Sequence, residues 1–205
     1  MTARAVRARV AITGPAIDQI ERYFGLLARW NRTINLTALL LDPPSDTTVD
    51  RLLIEPLAAA TWIPDVPGRW MDLGSVGGSP AIPLKIVRPQ LTLTMVEARE
   101  RKAAFLREAA RDLALAGVDI VNARFESLKS RSDLTGRYTL VTVRAVKIDS
   151  NVLSLARTLL APGGRLFLFG SHDSSLAKNA QFEIVDVVSL TADRSSSLLI
   201  LTRPS

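Results

Sequence analysis

The glycine-rich segment from Trp70 to Pro80 constrains the fold of this chain more than any other feature. Apolar residues lead into Asp72, small residues follow from Gly74 onward, and an apolar run typical of a helix begins after Pro80. A strand, a tight turn and a helix in this order are typical of nucleotide-binding α/β domains, because glycine lets the backbone turn sharply and lie against a ligand. The segment lacks a G-x-G-x-x-G pattern, so the interpretation depends on the next strand.

That next strand, predicted from Leu91 to Glu97, ends in an acid. Glu97 lies roughly 25 residues beyond Asp72, close to the ~20-residue spacing of dinucleotide-binding folds. Its carboxylate could accept hydrogen bonds from both ribose hydroxyls of a bound adenosine. The alternative is that Glu97 caps the helix predicted to begin near Arg99. The glycine-rich turn before it favours the ribose.

Strands and helices alternate from Arg69 to Phe169, which predicts a parallel sheet with helices on both faces. Two consecutive β-rich runs then predict a terminal antiparallel hairpin. We therefore predict an α/β fold of the class I S-adenosylmethionine-dependent methyltransferase (Rossmann-like) type, with seven strands and a ligand at the carboxyl ends of the first two. The predicted strands span residues 69–73, 91–97, 118–122, 138–143, 165–169, 182–190 and 197–202.

The helical patterns divide the chain into an N-terminal helical extension, residues 1–68, packed on a core of residues 69–205. Residues 1–10 are predicted to form a basic arm. The predicted helices span residues 15–32, 46–61, 99–116 and 150–160, with another beginning at Ala81. Asp46 is the predicted N-cap of the second, and Gly117 is predicted to end the long one. The extension is expected to lie at the ligand site.

The net charge of +6 favours a polyanionic partner such as RNA, although a solvated basic surface is the alternative. The chain has no cysteine, which excludes disulfides and cysteine-ligated metal sites, and we expect no metal. Neither a signal peptide nor a membrane span is evident in the sequence. We expect a cytoplasmic monomer.

Several motifs, in this order and spacing, resemble one family over nearly the whole chain. The chain is similar to the bacterial small-subunit ribosomal RNA guanine-N7 methyltransferases, the glucose-inhibited division protein B family. The matching pieces are Trp30-Asn31, Asn35-Leu36-Thr37, Asp72-Leu73-Gly74-Ser75, Pro80, Ile82-Pro83-Leu84, Val96-Glu97, Arg101-Lys102, Phe105-Leu106, Ala123-Arg124-Phe125-Glu126 and Val143-Arg144-Ala145.

The resemblance implies S-adenosylmethionine as methyl donor, and a guanine of 16S ribosomal RNA, free or in a 30S particle, as acceptor. It implies that Asp72, at the end of its strand, belongs to the cofactor site. Gly74 and Ser79 would contact the methionine part of the cofactor, and Glu97 would hold the ribose. Phe125 and Glu126 would border the adenine, and Arg144 would lie beside the methyl group. The residues that would bind RNA are Asn35, Arg101 and Lys102.

The chain departs from the family at several positions. Val76 stands where the family has a second glycine, and a β-branched residue does not readily adopt positive φ. Ser79 stands where the family usually has a bulky or apolar residue, and Ala81 where a further glycine is usual. The family's histidine within Arg51–Leu57 and its lysine near Phe169 are absent. A second hypothesis is therefore a non-catalytic relative that binds RNA or ribosomal particles through its basic surface. A NAD-dependent enzyme is a third, opposed by the terminal hairpin and by the lack of a hydride-transfer residue set.

The chemistry of a guanine acceptor fits these residues. Guanine N7 has an in-plane lone pair and no proton, so alignment with the methyl donor suffices and no general base is required. The single histidine, His172, is predicted to lie on the surface. Arg144 ends a predicted strand at the site, where it could bind a phosphate or the guanine O6/N7 edge. The alternative for Arg144 is an ion pair with Glu97 or Glu126.

Overall fold

The computed structural model describes residues 12–170, 180–191, 194 and 196–204. The predicted basic arm, residues 1–10, and His172 lie outside these residues. Within the described ranges, no helix is both long and apolar enough to cross a membrane. No group of three or more His, Asp or Glu side chains in the same ranges is arranged to hold a metal ion.

The sheet has seven strands in the order β3-β2-β1-β4-β5-β7-β6. Strands β1 to β5 are parallel, and β7 is antiparallel to both β5 and β6. The predicted α/β architecture with its terminal antiparallel hairpin is therefore confirmed. The strands are β1 Gly68–Leu73, β2 Leu91–Val96, β3 Val118–Val121, β4 Tyr138–Arg144, β5 Leu160–Phe169, β6 Glu183–Ser189 and β7 Ser197–Thr202.

Strand β1 lies between β2 and β4, so the chain crosses over between its two neighbours. The carboxyl ends of β1, β2 and β4 meet at one edge of the sheet, because Leu73 pairs with Val96 on one side and Val143 on the other. In open α/β sheets this switch point is where a crevice for a ligand forms.

The helices cover both faces of the sheet. They are α1 Gly14–Asn31, α2 Asp46–Val49, α3 Glu55–Ala59, α4 Ala81–Val87, α5 Glu100–Asp112 and α6 Ser150–Leu159. One cluster of buried side chains joins the N-terminal helices, α4 and α5 to one face of the sheet, and a second surrounds α6 on the other face. Tyr23 and Leu27 of α1 are completely buried, so α1 is packed into the core close to the switch point.

The second helical segment differs from the predicted uniform helix. Its N-cap is Ser45, whose hydroxyl accepts from the Thr48 amide at 3.1 Å, and not Asp46. Between α2 and α3 the chain forms a π-helical turn, Asp50–Ile54, in which the Glu55 amide donates to the Asp50 carbonyl. Short π-helical turns within helices are frequent at functional sites.

The end of one helix and the start of one strand also differ from the prediction. Helix α5 ends at Asp112, before the predicted stop at Gly117, because Ala114 adopts a left-handed conformation with φ of 51°. Strand β5 begins at Leu160, so residues 161–164, which separate the predicted helix 150–160 from the predicted strand 165–169, lie inside the strand. The pairing with β4 is irregular there: Leu160 pairs with Tyr138 and Arg165 pairs with Leu140, so the extra residues of β5 form a bulge.

Candidate functional site

A cavity of about 310 Å³ opens at the switch point, between the glycine-rich turn and the N-terminal helices. Three of the predicted site residues, Gly74, Ser79 and Arg144, line it. The structure therefore brings the turn after β1 and the end of β4 together, as the parallel topology requires. The other lining residues are Leu27, Leu36, Thr37, Ala38, Leu39, Arg51, Leu52, Val76, Gly77 and Ala145.

The glycine-rich turn adopts a tight conformation that one residue does not suit. Gly74 and Gly78 have φ of 76° and 84°, and Val76 has φ of 46°. A left-handed conformation costs a non-glycine residue roughly 1–3 kcal/mol, and β-branching adds crowding. Val76 therefore keeps a backbone geometry suited to glycine, and neighbouring contacts must hold it there.

Glu97 supplies one of those contacts. Its Oε2 accepts from the Val76 amide at 3.0 Å, and its Oε1 accepts from the Arg99 amide at 2.8 Å. The side chain is 5% exposed, and Asn122 donates to the Glu97 carbonyl at 2.8 Å. Glu97 thus connects the glycine-rich turn to Arg99, the residue before α5. The bond to the Arg99 amide is the helix-capping contact that the sequence analysis gave as the alternative. A carboxylate has about four acceptor sites, so these two bonds leave capacity for ribose hydroxyls.

Asp72 lies behind the turn and is 1% exposed. Its two carboxylate oxygens accept from the hydroxyls of Thr142 and Ser75, each at 2.5 Å. Trp70 donates to the Thr142 hydroxyl at 2.9 Å and completes a buried polar chain. Burial raises the pKa of Asp72 to about 6, against the lowering effects of its two hydroxyl partners and of Arg144. Asp72 therefore supports the turn from behind.

The raised pKa gives Asp72 a predictable effect on stability. Its folded-state pKa lies above the unfolded value, so ionisation destabilises the folded state, and the penalty disappears as pH falls from about 6 to about 4. Relative to Asp72→Asn, the wild-type free energy of unfolding should fall by about 2 kcal/mol between pH ~4.5 and ~7.5. Urea unfolding at both pH values measures this difference. Asp119→Asn, at an exposed acid of β3, is the control, and a difference independent of pH would contradict the prediction.

Arg144 ends β4 with a side chain that is only 10% exposed. Its Nη2 donates to the carboxylate of Glu55, which is 2% exposed, and its Nη1 donates to the Arg51 carbonyl at 2.5 Å and to Ser79 Oγ at 3.3 Å. The guanidinium carbon lies 5.2 Å from the centre of the Phe169 ring. The alternative prediction of an ion pair with Glu97 or Glu126 is therefore wrong, because Arg144 pairs with Glu55.

The π-helical turn explains why backbone carbonyls are available to Arg144 and Ser79. The Glu55 amide donates to the Asp50 carbonyl and not to Arg51 four residues before it, and Pro56 has no N–H to donate to Leu52. The Arg51 carbonyl instead accepts from Arg144, and the Leu52 carbonyl accepts from the Ser79 hydroxyl at 2.9 Å. These two bonds dock the helical segment onto the cavity wall.

The N-terminal helix fixes the opposite wall. The Tyr23 hydroxyl donates to the Gly77 carbonyl at 2.7 Å, and burial raises the pKa of this phenol. Asn31 Oδ1 accepts from the amides of Leu36 and Thr37 at 2.8 and 3.0 Å, which orders the loop that lines the cavity. Residues missed by the sequence interpretation, namely Tyr23, Glu55 and Arg51, thus complete the site.

Five further predicted site residues do not line the cavity at the switch point. Phe125 and Glu126 begin the 3-10 turn Phe125–Ser130 after β3; Phe125 is half-buried against the second core cluster and Glu126 is exposed. Asn35, Arg101 and Lys102 line a separate cavity of about 470 Å³ together with Thr33, Ile34, Arg99 and Glu100. Burial lowers the pKa of Lys102. The structure therefore brings the three predicted RNA-binding residues together.

Solved structures share this fold at low sequence identity. A Burkholderia thailandensis 1,6-didemethyltoxoflavin-N1-methyltransferase, with bound 1,6-didemethyltoxoflavin and S-adenosylhomocysteine, aligns with a TM-score of 0.61 and 13% identity, over 95% of this chain and 92% of that one. Aeropyrum pernix fibrillarin, with natively bound S-adenosyl-L-methionine, aligns with a TM-score of 0.58 and 19% identity, over 71% of this chain and 74% of that one. These likenesses establish the predicted class I methyltransferase fold.

Sequence relatives are more similar. A ribosomal RNA small subunit methyltransferase G of Xanthomonas campestris pv. campestris is 43% identical over 145 residues, which are 71% of this chain and 64% of the relative's length. Its counterpart in Halorhodospira halophila is 34% identical over 158 residues, 77% of this chain and 71% of the relative. Residues 16–193 match the family model described as rRNA small subunit methyltransferase G. Because that match includes the N-terminal helices and strands β1 to β6, the chain belongs to the rRNA small subunit methyltransferase G family.

Proposed function

We propose that this protein transfers the methyl group of S-adenosylmethionine to N7 of a guanine in 16S ribosomal RNA. The observation that carries this proposal is the cavity at the switch point, where a buried arginine at the end of β4 faces the glycine-rich turn after β1. Membership of the family and the cofactors named for the fold's neighbours support it.

The residues around the turn fit S-adenosylmethionine. A Cβ at Gly74 would meet Val146 at 2.7 Å, so this position favours glycine and leaves the backbone accessible from the cavity. In this proposal Gly74 and Ser79 contact the methionine end and Glu97 holds the ribose hydroxyls. Phe125 and Glu126, which follow β3 next to β2, border the adenine. The bound cofactor supplies an electrophilic methyl group on a positively charged sulfur.

The chain's own groups then have to align the acceptor and exclude water. Guanine N7 attacks without losing a proton, so no base is needed. Asp72 and Glu97 accept hydrogen bonds that hold the turn, and neither acid is needed as a base. Arg144 is the proposed catalytic residue, because its guanidinium can donate to guanine O6 and leave the N7 lone pair directed at the methyl group. Asn35, Arg101 and Lys102 are proposed to contact the RNA backbone.

One observation favours a second candidate, a relative that binds ribosomal RNA without transferring a methyl group. Val76 occupies a left-handed position in the turn and lines the cavity, where the family has a glycine. Calorimetric titration with S-adenosylmethionine and S-adenosylhomocysteine separates the two candidates. Binding of either supports the methyltransferase, and a folded protein that binds neither supports the RNA-binding relative.

Val76 also yields a prediction of its own. Val76→Gly should bind S-adenosylmethionine more tightly than the wild type, because it removes the branched side chain of a residue that lines the cavity. The entropy cost of glycine, about 0.5–1 kcal/mol, should not offset this gain. Calorimetry measures the affinity, with Val66→Gly, at an exposed residue away from the cavity, as control. Weaker binding by Val76→Gly would mean that the turn is built around the valine.

A further inference from the structure

The Glu55–Arg144 ion pair is buried at the wall of the candidate site. Glu55 is 2% exposed and Arg144 10% exposed, so neither charge is well solvated. A charge in such a place is retained at low cost only when it is paired and hydrogen-bonded. Burial lowers the pKa of Arg144, and the Glu55 carboxylate acts in the opposite direction.

The surroundings fix the guanidinium in one position. The Arg51 carbonyl and the Ser79 hydroxyl accept from Nη1, Glu55 accepts from Nη2, and the Phe169 ring lies 5.2 Å from the guanidinium carbon. These bonds use three of the five N–H groups of an arginine. Glu55 itself is absent from the cavity lining, whereas Arg144 is part of it. Glu55 therefore acts on the cavity through Arg144.

The charge of this pair matters for the proposed cofactor. S-adenosylmethionine carries a positive sulfonium, whereas its product S-adenosylhomocysteine has a neutral sulfur. An isolated guanidinium in the same poorly solvated cavity would repel the sulfonium and not the product. Of the other nearby charged groups, Arg51 is exposed and screened by solvent, and the acids Asp72 and Glu97 are unchanged in every Glu55 variant, so they do not account for a difference between variants.

We infer that Glu55 is a positioning residue which neutralises Arg144 and thereby lets the cavity accept the sulfonium form of the cofactor in preference to the neutral product. This inference rests on the proposed function, because it needs Arg144 beside the cofactor sulfur. Glu55 has two tasks: it fixes the direction of the guanidinium, and it balances its charge.

The test is the ratio of the dissociation constants of S-adenosylmethionine and S-adenosylhomocysteine, measured by calorimetry on the full chain. The two ligands share the adenosine and the amino-acid end, so the ratio isolates the sulfur charge. Glu55→Gln should raise the ratio about tenfold, the order expected for one uncompensated unit charge in a poorly solvated site. Glu55→Asp, which keeps the charge, should retain the wild-type ratio.

Two more variants keep the test decisive if Glu55→Gln folds poorly. Arg144→Gln leaves Glu55 unbalanced and should lower the ratio, and the Glu55→Gln/Arg144→Gln double variant should restore it. Circular dichroism checks that each variant is folded. If both ligands bind the wild type and the ratio is the same in every folded variant, the inference is wrong and the proposed function stands. If the wild type binds neither ligand, the proposed function fails and the inference fails with it.

Discussion

Arg144→Ala is expected to reduce methyl transfer to ribosomal RNA by at least about 100-fold, the scale for losing one preorganised donor in a catalytic site. The guanidinium is the proposed donor to the guanine acceptor, and alanine cannot replace it. The measurement is the initial rate of incorporation of labelled methyl groups at saturating cofactor.

Controls are needed because Arg144→Ala also leaves the carboxylate of Glu55 buried and unpaired, which costs about 3–5 kcal/mol of stability. Arg144→Lys keeps a positive charge opposite Glu55 but lacks the planar fork that reaches Glu55, Arg51 and Ser79 together, so it should fold and remain nearly inactive. Arg69→Ala removes an arginine at the opposite end of the sheet, over the Tyr138 ring, and should be active. Wild-type rates in folded Arg144→Ala or Arg144→Lys would contradict the assignment.

Glu97→Ala is expected to weaken binding of S-adenosylmethionine by about 1–3 kcal/mol, the range for hydrogen bonds to a charged acceptor. Calorimetry measures this loss. The exposed acid Glu100, in the first turn of α5, provides the control variant Glu100→Ala, which should bind normally.

Glu97 also holds the amides of Val76 and Arg99, so a second comparison must separate the ribose contact from support of the turn. S-adenosylhomocysteine and its 2′,3′-dideoxy analogue differ only in the ribose hydroxyls. The wild type should bind the dideoxy analogue more weakly, and Glu97→Ala should bind the two ligands about equally. If Glu97→Ala still discriminates between them as strongly as the wild type, Glu97 supports the turn without contacting the ribose.

The sheet could be predicted from the sequence because its signals are local. Short apolar, β-rich runs mark the strands, and the glycine-rich turn marks the crossover after β1. The terminal hairpin follows from two consecutive strands without a helix between them. Parallel topology then brings Gly74 and Arg144 to one edge, although 70 residues separate them in the chain.

The partner of Arg144 could not be predicted in the same way. Glu55 lies in an apolar run, where its carboxylate carries no signal of a distant partner, and a π-helical turn shifts the register of that segment. Two helical donors are missing there, because Pro56 has no N–H and the Glu55 amide donates to Asp50. Only the structure shows that the carbonyls of Arg51 and Leu52 accept from Arg144 and Ser79 instead. Tyr23 matched the apolar face of a helix, and nothing local indicated that its hydroxyl would reach Gly77.

The turn at Val76 illustrates a conflict between local preference and tertiary structure. Valine disfavours positive φ, so local preference opposes a left-handed residue at this position. Val76 nevertheless has φ of 46°. The hydrogen bond to Glu97 and the anchoring of Gly77 by Tyr23 hold the turn on both sides of the strained residue.

Methyl transfer to 16S ribosomal RNA from a strain that lacks the modification tests the central claim most directly. The purified protein is incubated with labelled S-adenosylmethionine and either deproteinised RNA or 30S particles, and aniline cleavage then locates N7-methylguanine. We expect label at N7 of a guanine in one of the two substrates. Label at another base-ring position, or no label in either substrate while the cofactor is bound, would contradict the account.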